Sequence, residues 1–111
     1  MGVQRWNEET FVVRLADDPE LSDDMTEVGR CLGNACCDVV LDLTELTLLT
    51  SGGLSRLLRL RKGVVERGRR LVLCAAGDGV WSVFLATGLD AVFEFTETVA
   101  EALARLQGGK T

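Results

Sequence analysis

Apolar and polar residues along the chain form two kinds of segment, which predict strands and helices in alternation. The strand-like segments are short, rich in β-branched and apolar residues, and bounded mainly by polar residues and glycine. They cover residues 10–16, 38–43, 70–75 and 91–95. A shorter segment, residues 3–6, is expected to pair with the first of them as a hairpin. The second is almost continuously apolar, which is typical of a strand buried on both faces.

The segments between the strands are predicted to be helices. They cover residues 22–33, about 52–67, 79–87 and 97–107, and Gly68 and Gly88 are expected to end the second and third. The predicted apolar stripe of the second helix consists of Leu54, Leu57, Leu58, Val64 and Val65. Arg61 falls inside this stripe, so we expect its aliphatic stem to cover the edge of the core while its guanidinium reaches solvent.

Strands and helices therefore alternate from one end of the chain to the other. Parallel neighbouring strands need a crossover connection, and a helix is the usual one. The order predicts an α/β fold, with one domain over residues 1–111 and a mainly parallel sheet of four to five strands. The core is expected to span about residues 9–107, and the tail, residues 108–111, is expected to be disordered.

Composition and charge then exclude several classes of function. The chain has 111 residues, no histidine and a net charge of −5. Histidine acid–base catalysis, histidine metal ligation and histidine phosphorylation are thereby excluded, and the acidic balance argues against a nucleic-acid partner. No apolar run approaches the ~20 residues of a membrane-spanning helix, and the first nine residues lack the apolar core of a signal peptide. We expect a cytoplasmic protein without membrane insertion.

The four cysteines are Cys31, Cys36, Cys37 and Cys74. They match neither a paired zinc-binding pattern nor a thioredoxin-like C-x-x-C motif, and each lies beside apolar residues. We interpret them as structural thiols and expect no metal and no cofactor. A small phosphotransfer or thiol enzyme that uses Cys74 is the enzymatic alternative, and it requires a reactive thiol of low pKa.

The most informative stretch runs from the second long strand into the second helix, over residues 39–54. Partner and ligand sites in open α/β sheets gather at the carboxyl ends of strands, and Ser51 is expected there. The helix dipole and free N–H groups favour an anion at this point, and Gly52 and Gly53 remove side chains that would hinder close approach. Two interpretations are open. Ser51 is a helix N-cap contributing about 1 kcal/mol, or its hydroxyl is phosphorylated and the added charge blocks a partner.

A run of basic residues follows this stretch. Seven of the twelve basic residues lie between positions 56 and 70, with Glu66 as the one acid among them, so this segment carries +6 and the rest of the chain −11. One interpretation is a solvated helix face. The other is a docking surface beside Ser51 that includes Arg56 and Arg59 and attracts an acidic partner. Trp81, in the third helix, is either packed in the core or an exposed interface anchor.

These stretches together resemble the STAS family, the sulfate-transporter and anti-sigma-factor-antagonist domains. The resemblance covers about residues 9–107 and is carried by residues 39–54, 68–73 and 87–90. Family members usually carry an aspartate, two serines and Gly-Leu before the helix, and this run corresponds here to Thr-Ser-Gly-Gly-Leu at 50–54. Thr50 therefore replaces the aspartate and Gly52 the second serine. The family's later Thr-Gly-Leu is kept at 87–89.

The resemblance implies a regulatory protein that is not an enzyme and whose partner is an anti-sigma factor that is also a serine-protein kinase. In anti-sigma factor antagonists, this kinase phosphorylates the first serine of the motif, which falls on Ser51, and phosphorylation breaks the complex. Thr50 is an alternative acceptor. The expected partner-binding residues are Thr50, Ser51, Gly52, Gly53, Arg56, Arg59 and Trp81. The alternative role is a non-phosphorylated STAS subunit of a transporter ATPase complex or signalling scaffold. We expect a monomer or weak dimer.

Overall fold

The computed structural model describes residues 3–7, 10–17 and 37–108. The elements in chain order are β1 (Val3–Asn7), β2 (Thr10–Ala16), β3 (Asp38–Glu45), α1 (Ser51–Glu66), β4 (Leu71–Cys74), α2 (Asp78–Thr87), a 3-10 turn (Leu89–Ala91), β5 (Glu94–Thr96) and α3 (Val99–Gly108). The helix predicted over 22–33, together with Cys31 and Cys36, lies outside the described residues. Gly108, which was predicted to start a disordered tail, is the last residue of α3. The rest of that tail, residues 109–111, lies outside the described residues.

The five described strands form one sheet in the order β1-β2-β3-β4-β5. β1 pairs antiparallel with β2, which confirms the predicted hairpin. β2, β3, β4 and β5 pair in parallel, and Val39 of β3, for example, lies opposite Leu71 of β4. The prediction of an α/β fold on a mainly parallel sheet is therefore confirmed.

Helices cover both faces of this sheet. Successive side chains of a strand point to opposite faces, so each strand contributes to the core on both sides. On one face Val39, Leu41, Leu43, Leu71 and Leu73 pack with Leu54, Leu57, Leu60 and Val64 of α1 and with Val80 and Phe84 of α2. On the other face Val40, Val72 and Cys74 pack with Ala102, Leu103 and Leu106 of α3. With both faces buried, β4 is apolar throughout and β3 is apolar from Val39 to Leu43 except at Asp42, which explains their apolar runs in the sequence.

The apolar stripe of α1 differs in part from the prediction. Leu54, Leu57 and Val64 are buried as expected, and Leu60 is buried in addition. Leu58 and Val65 are exposed, so their assignment to the stripe was wrong. Both lie on the flank of the helix. Because successive residues are rotated by about 100°, these two positions fall outside the side that faces the core. Arg61 is half-buried on the same side of the helix, beside Val65, as its long stem suggested.

The last strand is shorter than the predicted segment 91–95. Gly88 has φ +75° and ends α2 in a left-handed conformation, as its position predicted. The chain then makes a 3-10 turn in which the N–H of Val92 donates to the carbonyl of Leu89. Phe93 is buried without belonging to a strand, and β5 starts at Glu94. Apolar residues at 91–93 thus serve a turn and the core rather than a sheet ladder.

Charged residues join the strands at the amino edge of the sheet, where β3, β4 and β5 begin. The Asp38 carboxylate is buried and accepts a hydrogen bond of 2.9 Å from the Arg70 backbone N–H. It also pairs with the Arg69 guanidinium at 3.2 Å. The Arg70 side chain pairs with Glu94 at 2.6 Å. These contacts connect three consecutive parallel strands at their starting points.

Candidate functional site

The candidate site lies at the carboxyl edge of the sheet, opposite the amino edge. There β3 ends, and a loop over residues 46–50 leads into α1. Leu46 and Leu49 of this loop are buried in the core, whereas the side chain of Leu48 between them is 65% exposed. The two buried leucines anchor the loop to the core, and this contact holds the backbone of its exposed residues in place.

Asp17, which directly follows β2, holds the outer part of this loop. Its Oδ1 accepts hydrogen bonds from the backbone N–H groups of Thr47 (2.9 Å) and Leu48 (3.1 Å), and its Oδ2 accepts one from the Thr47 hydroxyl (2.5 Å). The hydrogen bonds from Thr47, followed by that from Leu48, lower the pKa of the Asp17 carboxyl below its ordinary value. The sequence suggested only that Asp17 ends a strand. Its role follows from the parallel pairing of β2 and β3, which brings their carboxyl ends together.

The first turn of α1 corrects one of the two interpretations of Ser51. The N-cap is Thr50, whose Oγ1 accepts a hydrogen bond of 3.1 Å from the Gly53 N–H. The Leu54 N–H donates to the Thr50 carbonyl at 2.9 Å and closes the first helical turn. Ser51 is therefore the first helical residue and not the cap. Threonine is a good cap, so the helix loses no capping by starting one residue earlier than a Ser51 cap would place it.

The Ser51 side chain is exposed and makes no hydrogen bond with any described residue. Its hydroxyl lies at the positive end of the helix dipole, and the first turn of α1 contains no acidic residue to offset that end. Gly52 is exposed beside it, whereas Gly53 is buried under the turn. The arrangement leaves a nucleophilic hydroxyl accessible at a position that stabilises an attached anion.

The basic run divides into two groups. Arg56 and Arg59 are exposed on α1, within two and a half turns of Ser51. Arg69 and Arg70 lie at the amino edge, where they pair with Asp38 and Glu94. The last two arginines of the run therefore connect strands beyond the far end of the helix, and the docking surface with Arg56 and Arg59 stays a prediction.

Trp81 lies at the same carboxyl edge as Ser51, beside the ends of β4 and β5. It is half-buried and makes an edge-to-face contact with Phe95 at a centroid distance of 4.9 Å. Together with Ala75 and Glu97 it lines an open groove of about 390 Å³. Trp81 packs against the core, as one interpretation predicted, and it also lines the groove. Its role as an interface anchor stays a prediction.

Ala75 gives this groove an unusual backbone. Its φ is +60°, a left-handed conformation that costs a non-glycine residue about 1 kcal/mol. The Ala75 N–H donates to the Thr96 carbonyl at 3.3 Å, which ties the ends of β4 and β5 together. The chain therefore turns sharply away from the sheet directly after Cys74 and opens the groove.

The enzymatic alternative based on Cys74 is not supported. The thiol is buried and donates to the Leu41 carbonyl at 3.5 Å, and burial raises its pKa to about 12. A nucleophilic cysteine needs the opposite shift. Cys37 is buried as well, so both cysteines of the described residues fit the structural interpretation.

Residues 3–7, 10–17 and 37–108 contain no group of three or more acidic or cysteine side chains that could hold a metal ion. None of the helices found there is long and apolar enough to cross a bilayer.

Solved structures of other proteins have the same fold as this chain. The chain resembles an anti-sigma-factor antagonist (STAS) domain protein from Planctomyces limnophilus with a TM-score of 0.82 and 19% identity, covering 95% of this chain and 96% of that one. It resembles the anti-sigma factor antagonist SpoIIAA in its unphosphorylated form with a TM-score of 0.81 and 20% identity, over 96% and 95% of the two chains.

The Bacillus cell fate determinant SpoIIAA in its phosphorylated form is also similar, with a TM-score of 0.72 and 18% identity, over 93% of this chain and 96% of that one. These three structures share the fold. The sequence itself matches the family model of the STAS domain over residues 5–102, which is most of its length. The chain therefore belongs to the STAS domain family.

Proposed function

We propose that this protein is a regulatory binding domain of the anti-sigma factor antagonist kind, with an anti-sigma factor kinase as its partner and phosphorylation of Ser51 as its switch. It acts by binding and not by catalysis. The unphosphorylated form binds the kinase, and a phosphate on Ser51 dissociates the complex. The observation that carries the proposal is the Ser51 hydroxyl, exposed at the start of α1 and released from capping by Thr50.

The first turn of α1 favours Ser51 over Thr50 as the acceptor. The Thr50 oxygen already accepts the Gly53 N–H at 3.1 Å, and phosphorylation there would disturb the cap. A phosphate on Ser51 leaves the cap intact and gains the helix dipole, which is worth about 0.3–1 kcal/mol for an exposed charge. Among the similar proteins, SpoIIAA has both a phosphorylated and an unphosphorylated form.

The same edge supplies a surface for the partner. Exposed Leu48 lies just before Ser51, and Arg56 and Arg59 follow on α1. An apolar side chain and two cations fit a partner surface that combines an apolar contact with acidic side chains. New negative charge on Ser51 would repel such an acidic surface, which is how the switch would operate. Trp81 extends the surface toward the groove between β4 and β5.

Incubation with the cognate anti-sigma factor kinase and ATP tests the acceptor. One phosphate is expected on the peptide that contains Ser51, detected by mass spectrometry. Ser51→Ala abolishes it, whereas Ser55→Ala, which removes an exposed serine one turn further along α1, leaves it unchanged. Failure to modify Ser51 or Thr50 would contradict the switch and favour a non-phosphorylated STAS subunit of a transporter ATPase complex or signalling scaffold.

The departures from the family motif allow a second test. Thr50→Asp restores the acid before the acceptor and keeps a good N-cap. Gly52→Ser restores the second serine without a clash, since a Cβ at this position would lie 3.8 Å from the Thr50 Oγ1. A kinase that recognises the family motif should phosphorylate Ser51 faster in the double variant than in the natural chain. Equal rates would mean that the kinase recognises other parts of the surface.

A further inference from the structure

A small pocket at the amino edge of the sheet is not used by the proposed switch. It lies where the second half of α1, the start of β4 and the chain after the 3-10 turn meet, and its volume is about 80 Å³. Arg61, Arg69, Arg70 and Glu94 line it. Arg61 and Ser51 are ten residues apart on α1, which corresponds to about 15 Å along the helix.

The charges around this pocket do not cancel. Arg69 is paired with Asp38 at 3.2 Å and Arg70 with Glu94 at 2.6 Å, so two of the three guanidinium groups have a carboxylate. The half-buried Arg61 makes no hydrogen bond or ion pair with any residue that the structure describes. One positive charge is therefore uncompensated in a partly desolvated place, which favours a bound anion.

Two apolar side chains border the same pocket. Val65 of α1 is 46% exposed, and Val92, after the 3-10 turn, is 39% exposed. A free inorganic anion would satisfy Arg61 but leave both valines in water. A protein segment that offers a carboxylate beside an apolar residue would satisfy the charge and cover the valines together. The volume suits one carboxylate and not a nucleotide.

We propose that this pocket is a second protein-docking site, in which Arg61 binds the side-chain carboxylate of an acidic partner segment and Val65 and Val92 contact an apolar residue next to it. The site goes beyond the Ser51 switch. It lies at the opposite edge of the sheet, so its occupancy does not depend on the phosphorylation state of Ser51.

The test is an NMR titration of the ¹⁵N-labelled full chain with the peptide acetyl-Leu-Asp-Leu-amide. The Arg61 Nε–H signal and the Val65 and Val92 amides should shift with saturable dependence on peptide concentration. The isosteric peptide acetyl-Leu-Asn-Leu-amide should bind about tenfold more weakly, because it lacks the charge. Sodium phosphate at equal ionic strength should move the Arg61 signal without saturating the valine shifts.

Matched variants separate the pocket from general charge. Arg61→Gln should weaken peptide binding about tenfold, whereas Lys62→Gln removes the same charge from the adjacent, solvent-facing position and should not. Ser51→Asp should bind the peptide as the natural chain does, so a failed switch leaves this test unaffected. Equal binding of both peptides, or equal loss in the Arg61 and Lys62 variants, would overturn the proposal.

Discussion

The two ends of α1 differ in how their polar and charged groups are held, although basic residues lie near both. At its amino-terminal end, the exposed groups are supported from below: Thr50 caps the helix, Asp17 holds the preceding loop, and the Ser51 hydroxyl stays accessible. Beyond its carboxyl-terminal end, arginines pair with Asp38 and Glu94 and connect the starts of three strands. The first end carries the surface proposed to bind a partner, and the second holds the sheet together.

The difference teaches that a net charge over a segment does not define a surface. The basic run has a net charge of +6, yet its last two arginines are largely neutralised by acids from distant parts of the chain. Arg59 and Lys62 of α1, by contrast, are exposed and have no ion pair among the residues that the structure describes. Substitutions in the ion pairs of the amino edge should therefore cost mainly stability, and substitutions around Ser51 mainly binding.

The largest effect is expected from Asp38→Ala. The substitution removes a buried carboxylate that accepts the Arg70 N–H and pairs with the Arg69 guanidinium, so both donors lose this acceptor. The free energy of unfolding should fall by about 3 kcal/mol, measured by urea denaturation. Asp38→Asn, which keeps an acceptor for the backbone N–H, should cost less. A loss below about 1 kcal/mol for the alanine variant would contradict the structural role of this edge.

A smaller effect is expected at the helix cap. Thr50→Ala removes the acceptor of the Gly53 N–H and should destabilise the protein by about 1 kcal/mol. Ser51→Ala, one residue later, should change the free energy of unfolding by less than about 0.5 kcal/mol. Thermal or urea denaturation of the two variants checks the comparison. Equal costs at the two positions would mean that the cap is shared between them.

The Arg70–Glu94 ion pair should contribute less again. Both side chains are 38% exposed, so water screens their attraction despite the short contact. A double-mutant cycle with Arg70→Met and Glu94→Gln should give a coupling energy below about 1 kcal/mol, falling as salt is added. A larger, salt-independent coupling would show that this pair behaves as a buried one, like Asp38 with Arg69.

The smallest effect, and the most local, concerns Asp17 and pH. Its folded-state pKa is lowered below the ordinary 3.8, so its hydrogen bonds to the loop are complete above that value and are lost as the pH falls through the folded-state pKa. Hydrogen exchange should show the Thr47 and Leu48 amides losing protection only below the ordinary pKa. The Leu46 amide, which donates to the Leu43 carbonyl, serves as the reference.

Asp17→Asn is the matched variant for this prediction. An uncharged amide accepts hydrogen bonds more weakly than a carboxylate, so the Thr47 and Leu48 amides should exchange faster than in the natural chain at every pH at which Asp17 is ionised. The difference between the two proteins should vanish at low pH, where Asp17 is protonated. An unchanged pattern in the variant would mean that Leu46 and Leu49 alone fix the loop.

The elements of the fold were predictable because their signals are local or periodic. The nearly continuous apolar run at 38–43 indicated a strand buried on both faces, and Gly68 and Gly88 each have φ +75° where a helix end was predicted. Leu58 and Val65 were misassigned because an apolar residue on a helix flank satisfies the same spacing as one in the core. Periodicity specifies a face only to within one neighbouring position.

The candidate site was predictable in its place and not in its contacts. Its position at the carboxyl edge follows from the parallel topology. That Thr50 and not Ser51 caps α1 depends on a single hydrogen bond, because both residue types cap helices well. The roles of Asp17 and Asp38 depend on partners 30 to 32 positions away, which the local sequence does not reveal.

The most direct test of the proposed switch compares the affinity of the anti-sigma factor kinase for Ser51→Ala and for Ser51→Asp by calorimetry. Ser51→Ala should bind as the unphosphorylated chain does, and Ser51→Asp should bind at least about tenfold more weakly because its charge faces an acidic partner surface. Ser55→Asp, with the same charge one turn along α1, should lose less. Equal affinity of the Ser51→Ala and Ser51→Asp variants would contradict a phosphorylation switch at Ser51.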